Sequence, residues 1–164
     1  VAWSHQYASG TRLGPGDARL VEALWQKHWQ AKLRPGLAEK PLTRGDLPNL
    51  AISIRQPHAE AILRGVKTEE FRAVATTVRG QVCIYAPRSR YEPAQEQQYL
   101  ASYGRPLAEV DLDALCHGFL VGVVEIVDCR PRRGEYAWQL ARPARLAQPL
   151  RPRGMPQPMW FRPF

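Results

Sequence analysis

Cysteine is scarce in this chain, and Cys83, Cys116 and Cys129 lack the close paired spacing of a metal site or a disulfide framework. Cys83 and Cys129 lie within apolar strand patterns and read as buried thiols. Cys116 and His117 are adjacent, a spacing that rarely serves one ion, so no metal and no cofactor is expected. No apolar run approaches the roughly 18 residues that cross a bilayer. The N-terminal residues have neither the charged start nor the apolar stretch of a secretion signal, so the expectation is a soluble, cytoplasmic protein with no membrane partner. Internal repeats are absent. A length of 164 residues leaves no room for a second full domain, while 45% apolar residues suffice for one real core.

Acidic side chains are also in deficit, with 15 Asp and Glu against 23 Lys and Arg, a net charge of +8. Arginine dominates the second half, from Arg79, Arg88 and Arg90 through Arg130, Arg132 and Arg133 to Arg162, mostly at strand ends and loops. A guanidinium holds phosphate through two parallel hydrogen bonds and stacks on bases, so the bias suits a nucleic-acid partner, RNA or DNA. The same bias also arises in chains from GC-rich genomes whatever their function.

Residues 1–16, with Trp3 and Tyr7, keep no persistent period and read as an arm. Asp17 is placed to cap a helix running to about Leu33, whose stripe of Leu20, Val21, Leu24, Trp25, His28 and Trp29 follows helical spacing. That stripe fits packing on the rest of the protein. Lys27, His28 and Lys32 leave a protein partner or nucleic acid as the other use of this segment. Residues 34–49, rich in Pro and Gly, read as a connector, so the expected division is an N-terminal extension over 1–49 and a domain over 50–164.

Residues 50–72, LAISIRQPHAEAILRGVKTEEFR, carry the most information. Ala51, Ile52 and Ile54 read as a buried strand, Pro57 starts a helix whose apolar face is Ala59, Ile62 and Leu63, and Gly65 closes it. Thr68 to Arg72 then alternate as a strand, which brings Lys67, Glu70 and Arg72 together at a tight return. Downstream, Val82 to Tyr85 predict a strand, Glu92 to Tyr103 a helix, and Gly118 to Asp128 the strongest strand. Pro143, Pro149, Pro152, Pro156, Pro158 and Pro163 crowd the tail, so its strands are expected to be short edges joined by rigid turns. Mixed strands with inserted helices predict an α+β fold built on a small twisted barrel.

The pattern Gln56-Pro57, helix, then Gly65-x-Lys67-x-x-Glu70-x-Arg72 resembles the signature of the ASCH domain, a member of the PUA-like superfamily. Later blocks, RGQVCIYA from Arg79, GFLVGVVEIVDC from Gly118, YAWQLARPARLAQPL from Tyr136, and PMWF, extend the resemblance from about Leu50 to Trp160. It departs at His58, where the family more often has an aromatic residue. The resemblance implies a PUA-like β-barrel with flanking helices, a cleft lined by Lys67, Glu70 and Arg72, and nucleic-acid binding in transcription or RNA-related regulation.

The chemistry of those residues fits binding. Lys67 and Arg72 can each neutralise a phosphate, Gln56 can pair with a base edge, and Tyr85, Tyr91 and Trp160 offer stacking faces. Glu70 either orients its two basic neighbours or reads a base. His58 lies beside the signature. Arg88, Arg90 and Tyr91 follow a strand that ends near it in the family arrangement, and Trp160 matches the family's closing tryptophan, although Trp138 and Trp160 equally suit a core. The alternative is a metal-independent hydrolase of RNA or a modified nucleoside, with Lys67, Glu70 and His58 as catalytic candidates. A related branch of the superfamily hydrolyses acetylcytidine with a lysine and a threonine three residues later. Here Glu70 occupies that third position, and Thr68 stands at a different distance from Lys67.

Overall fold

In β3 (Gly80–Ala86), Val82 and Ile84 point to one side of the strand and Cys83 and Tyr85 to the other, yet all four are buried. A strand covered on both faces reads as a continuous apolar run, and that is how this stretch stands in the sequence. In the computed structural model, which describes residues 42–164, β3 lies inside a six-stranded sheet. The other strands are β1 (Ala51–Ser53), β2 (Glu69–Arg72), β4 (Phe119–Arg132), β5 (Glu135–Leu150) and β6 (Trp160–Phe161). Their order is β2-β5-β4-β3-β1-β6, with β1 and β3 parallel and the remaining neighbours antiparallel. Helices α1 (His58–Leu63) and α2 (Pro93–Ser102) are inserted between strands. The domain is α+β, as expected.

Two apolar layers cover the two faces. Ile52, Ile54, Ile84, Val124, Ile126, Trp138 and Leu140 pack together with Ala59 and Ile62 of α1. Ala51, Cys83, Leu120, Val123, Leu146 and Phe161 form the opposite layer. Each large aliphatic side chain buried in these layers contributes about 1.5–3 kcal/mol. Trp138 of β5 stacks on Trp160 of β6, ring centroids 5.4 Å apart and 9° from parallel. Arg72 of β2 donates from Nη2 to the Ser53 carbonyl of β1 at 2.8 Å. Strands from opposite ends of the hydrogen-bonded order therefore meet through side chains. The sheet curls until its ends face each other, and between β2 and β6 no ladder closes it.

The tail departs from expectation. β5 is a 16-residue strand that runs through Pro143 and Pro149. Its register against β4 slips where Val123↔Ala144 gives way to Glu125↔Ala141, and again between Leu120↔Leu150 and Gly122↔Arg145. Both prolines sit in the extra residues of these bulges, where no ladder N–H is required. β2 pairs with β5 only over Tyr136–Gln139, so the other edge of the proline-bearing stretch carries no strand. β6, by contrast, is the short edge that was expected.

At Gly122 the strand meets α1 so closely that an added Cβ would overlap Leu63 Cδ2 and lie 2.5 Å from the Ala144 carbonyl oxygen. Gly122→Ala is therefore expected to cost roughly 2–3 kcal/mol, read as a shift of the urea midpoint with unchanged slope. A neutral result would show that α1 is not pressed against β4.

The expected arm and the helix from Asp17 to Leu33 lie outside the described residues. Leu42 and Leu47, placed in the expected connector, pack on the second apolar layer, and Cys83 Sγ donates to the Pro48 carbonyl at 3.3 Å. The compact unit that contains them is Gly36–Phe164. Among the described residues no helix is long and apolar enough to cross a membrane.

Candidate nucleic-acid interface

Helix α1 fixes the site from below. Gln56 Oε1 accepts the Glu60 amide at 3.0 Å, satisfying one of the orphan donors of the first turn, while Nε2 donates to the Cys116 carbonyl at 3.3 Å. At the other end Gly65 takes φ 71°, and the Val66 and Lys67 amides both close onto the Ala61 carbonyl at 2.9 and 3.0 Å. A side chain at residue 65 would strain this left-handed closure. The chain then turns directly into β2, which presents Glu70 and Arg72 two residues apart on one side.

Glu70 lies between two cations. Lys67 Nζ is 3.3 Å from Oε2, and Arg72 Nε is 2.9 Å from Oε1. The Arg72 Nε–H is not aimed along a hydrogen bond, so that second contact is ionic. Lys67 is further held by the Glu69 carbonyl at 2.5 Å and sits over the Phe71 ring at 5.3 Å. Arg72 reaches Ser53 on one side and the Trp138 ring, 5.9 Å away, on the other.

In front of this group opens a cleft of about 530 Å³ lined by Ser53, Arg55, His58, Glu70, Arg72, Tyr85, Tyr91 and the segment Pro156–Pro158, among others. It occupies the gap between the two ends of the curled sheet. A one-residue slip of register between Ile84 and Tyr85 marks the point where β3 delivers Tyr85 to the cleft, a use of bulges common beside functional sites. Ser53 Oγ donates to the Gln157 carbonyl at 2.5 Å, tying the proline segment to the rim.

Compared with protein-family models and with curated proteins, the chain gives no match.

The candidates named from the sequence separate into two groups. His58, Glu70, Arg72 and Tyr91 line the cleft, and Tyr85 joins them. Lys67 is paired to Glu70 and is not among the lining residues. Gln56 is 3% exposed with both ends of its amide engaged by the backbone, so it holds the helix start. Arg90 is committed to Glu96, 2.6 Å away, and to Asp113, 2.9 Å away, and lines a separate pocket beside α2. Glu96 is 2% exposed and its carboxyl is held below the usual range, first by the Arg90 hydrogen bonds. Arg90→Ala is therefore expected to lower the melting temperature, because it leaves the buried Glu96 carboxylate without its partner. Arg88 lies outside the cleft with its stem against Gly118. Trp160 is taken up by its stack on Trp138.

Arg55 is a charged lining residue that the sequence reading did not single out. It is exposed, and its guanidinium lies 5.0 Å from the Tyr91 ring centre. The available signal was a polar pair, Ser53 and Arg55, breaking an apolar strand at the two-residue period. The Pro156–Pro158 wall had no such signal, since it comes from the tail folding back beside β1.

His58 is wedged among aromatics. Its Nδ1 shares a 2.5 Å hydrogen bond with the Tyr103 hydroxyl, and its ring lies 4.6 Å from Tyr99 and 5.7 Å from Tyr91. Burial first, then the charges of Lys67 and Arg72, push its pKa down from 6.5 to about 4, against the opposing pull of Glu70. At neutral pH it is an uncharged imidazole. Burial also raises the Tyr91 and Tyr103 hydroxyls, which remain protonated.

The unfolded chain takes up a proton at this histidine near pH 6.5 and the folded one only near 4. The stability is thus fully present above about pH 6.5, falls as pH drops through that window, and is lost below about pH 4, by at most about 3 kcal/mol. Urea unfolding of wild type and His58→Gln at pH 7, 5 and 4 checks this. Curves that decline in parallel would assign the loss to other groups.

Proposed function

We propose that this chain is an ASCH domain of the PUA-like superfamily, like the C-terminal domain of activating signal cointegrator 1 that its sequence blocks resemble. Its activity is to bind RNA or DNA by admitting one unpaired nucleotide into the cleft between β1 and β2. The observation that carries this reading is the lining of the cleft. Two arginines, two tyrosines and a neutral histidine border a volume of about 530 Å³, within the range of small-ligand sites and too small for a duplex. The exposed Arg55 guanidinium supplies a phosphate contact, and the Tyr91 ring supplies a flat face on which a base stacks. A nucleotide enters such a site only from a single strand or after leaving its helix, which favours looped or mismatched targets.

Titration of the full chain with labelled single- and double-stranded RNA and DNA over a salt series tests the reading. Affinity is expected to fall linearly on a logarithmic salt scale, with single strands bound more tightly than perfect duplex. Arg55→Glu, at the cleft, should weaken binding by about tenfold or more, whereas Arg133→Glu, the same charge change at the exposed β4–β5 hairpin tip, should cost about twofold. Equal losses would mean that net charge and not the cleft does the binding.

His58 favours a second reading. An uncharged imidazole in a nucleotide-sized cleft can accept a proton from a 2′-hydroxyl or a water, which is the first step of hydrolysis. Strands shortened during the titration, and left whole by His58→Ala, would make this the leading reading.

A further inference from the structure

Glu70 is the anomalous member of a cleft that otherwise suits a phosphate. A carboxylate repels an anion, yet this one lines the cleft, while Lys67, the cation expected there, is paired to it and does not. A carboxylate is acceptor-only and offers about four lone-pair sites over its two oxygens. Lys67 takes one on Oε2 and Arg72 occupies the neighbourhood of one on Oε1. One further site on each oxygen is left, and the two oxygens together form a pair of adjacent acceptors. Two cations and the β2 backbone fix the carboxylate, so its orientation costs little when a ligand arrives.

Among the unmodified bases, guanine alone presents two adjacent donors, N1–H and the N2 amino group, on one edge. Adenine and cytosine each set an acceptor nitrogen beside their amino group, and that lone pair would face a carboxylate oxygen. Uracil and thymine flank a single N–H with two carbonyls. Donors paired to a charged acceptor form the stronger class of hydrogen bond, and a two-point match adds geometric selectivity. The remaining lining is indifferent to base identity: Tyr91 presents a ring, and exposed Arg55 lies over it at the mouth, where the sugar-phosphate chain would pass.

We infer that Glu70 is a specificity-determining residue and that the cleft selects a guanine, read through its N1–H and N2 amino edge by the two carboxylate oxygens. This rests on the nucleic-acid reading above, and it names the nucleotide that the reading leaves open. Lys67 and Arg72 are then positioning residues that hold the reader. Arg55 acts on the backbone without regard to sequence.

The test uses the full chain and short single-stranded RNA oligomers with one variable position among uridines, carrying guanosine, inosine, adenosine, cytidine or uridine. Inosine keeps N1–H and lacks only the amino group. Guanosine is expected to bind about tenfold more tightly than inosine, and adenosine and cytidine to fall further behind. Glu70→Gln keeps one acceptor and replaces the other by a donor, so it should remove the preference for guanosine over adenosine, while Arg55→Ala should weaken all five about equally. The inosine comparison needs no variant, so it stands even if Glu70→Gln folds poorly. Saturable binding with equal affinity for guanosine, inosine and adenosine would overturn the guanine assignment and leave the nucleic-acid reading intact. A guanosine preference that survives in a folded Glu70→Gln protein would overturn the role of Glu70. No saturable binding to any oligomer at low salt would overturn both.

Discussion

Trp138→Ala is expected to lower the unfolding free energy by about 3–5 kcal/mol, the range for removing a large aromatic from a packed core. Trp138 is fully buried, stacks on Trp160, and donates its Nε1–H to the Val74 carbonyl at 3.1 Å. The alanine leaves a cavity, strands that carbonyl, and removes the contact by which β5 meets β6 across the curl. Trp138→Phe keeps most of the buried ring and loses the hydrogen bond, so it should cost about 1–2 kcal/mol. Urea denaturation of the three proteins checks the order. An alanine variant within 1 kcal/mol of wild type would mean that the ends of the sheet are held together elsewhere.

Glu70→Ala should destabilise the protein by roughly 3–5 kcal/mol, more than Arg72→Ala does, although Arg72 makes the larger number of contacts. The reason is charge balance in a poorly solvated place. Lys67, Glu70 and Arg72 expose only 12%, 11% and 18% of their side chains. Removing Glu70 leaves two cations facing each other without a counter-ion, and breaking a buried pair from one side is the costly case. Removing Arg72 leaves Lys67 and Glu70 as a neutral pair, and the loss is then the bond to the Ser53 carbonyl and the packing on Trp138. The reversed order in equilibrium unfolding would show that this group is hydrated like a surface cluster and that its carboxylate is not held for a ligand. Added salt should partly rescue Glu70→Ala by screening the two cations, and it should do little for Trp138→Ala.

The local elements were legible because their signals are local. Pro57 and Gly65 bracket α1 as read, the alternation after Gly65 gives β2, and the apolar runs give β3 and β4. β5 was not legible. Proline content argued against a long strand, and only pairing with β4 shows that Pro143 and Pro149 fall in bulges. The arginines divide for the same reason. Arg55 and Arg72 face the cleft, whereas Arg90 is neutralised by Glu96 and Asp113, and Arg145 by Glu60, 85 positions away in sequence. Nothing in a linear pattern distinguishes a guanidinium committed to a buried carboxylate from one that borders a cleft.

By itself, then, the sequence determined the α+β character and the juxtaposition of Lys67, Glu70 and Arg72, since each follows from periodicity or spacing within a few residues. Tertiary structure decided that Glu70 lines the cleft and Lys67 does not, that Gln56 and Trp160 serve the scaffold, and that Arg55, Tyr91 and the Pro156–Pro158 segment complete the lining. Those outcomes depend on how a curled sheet brings β1, β2 and the tail together. Its curvature comes from strand pairing, bulges and side-chain packing between residues far apart in the chain, which no local pattern encodes.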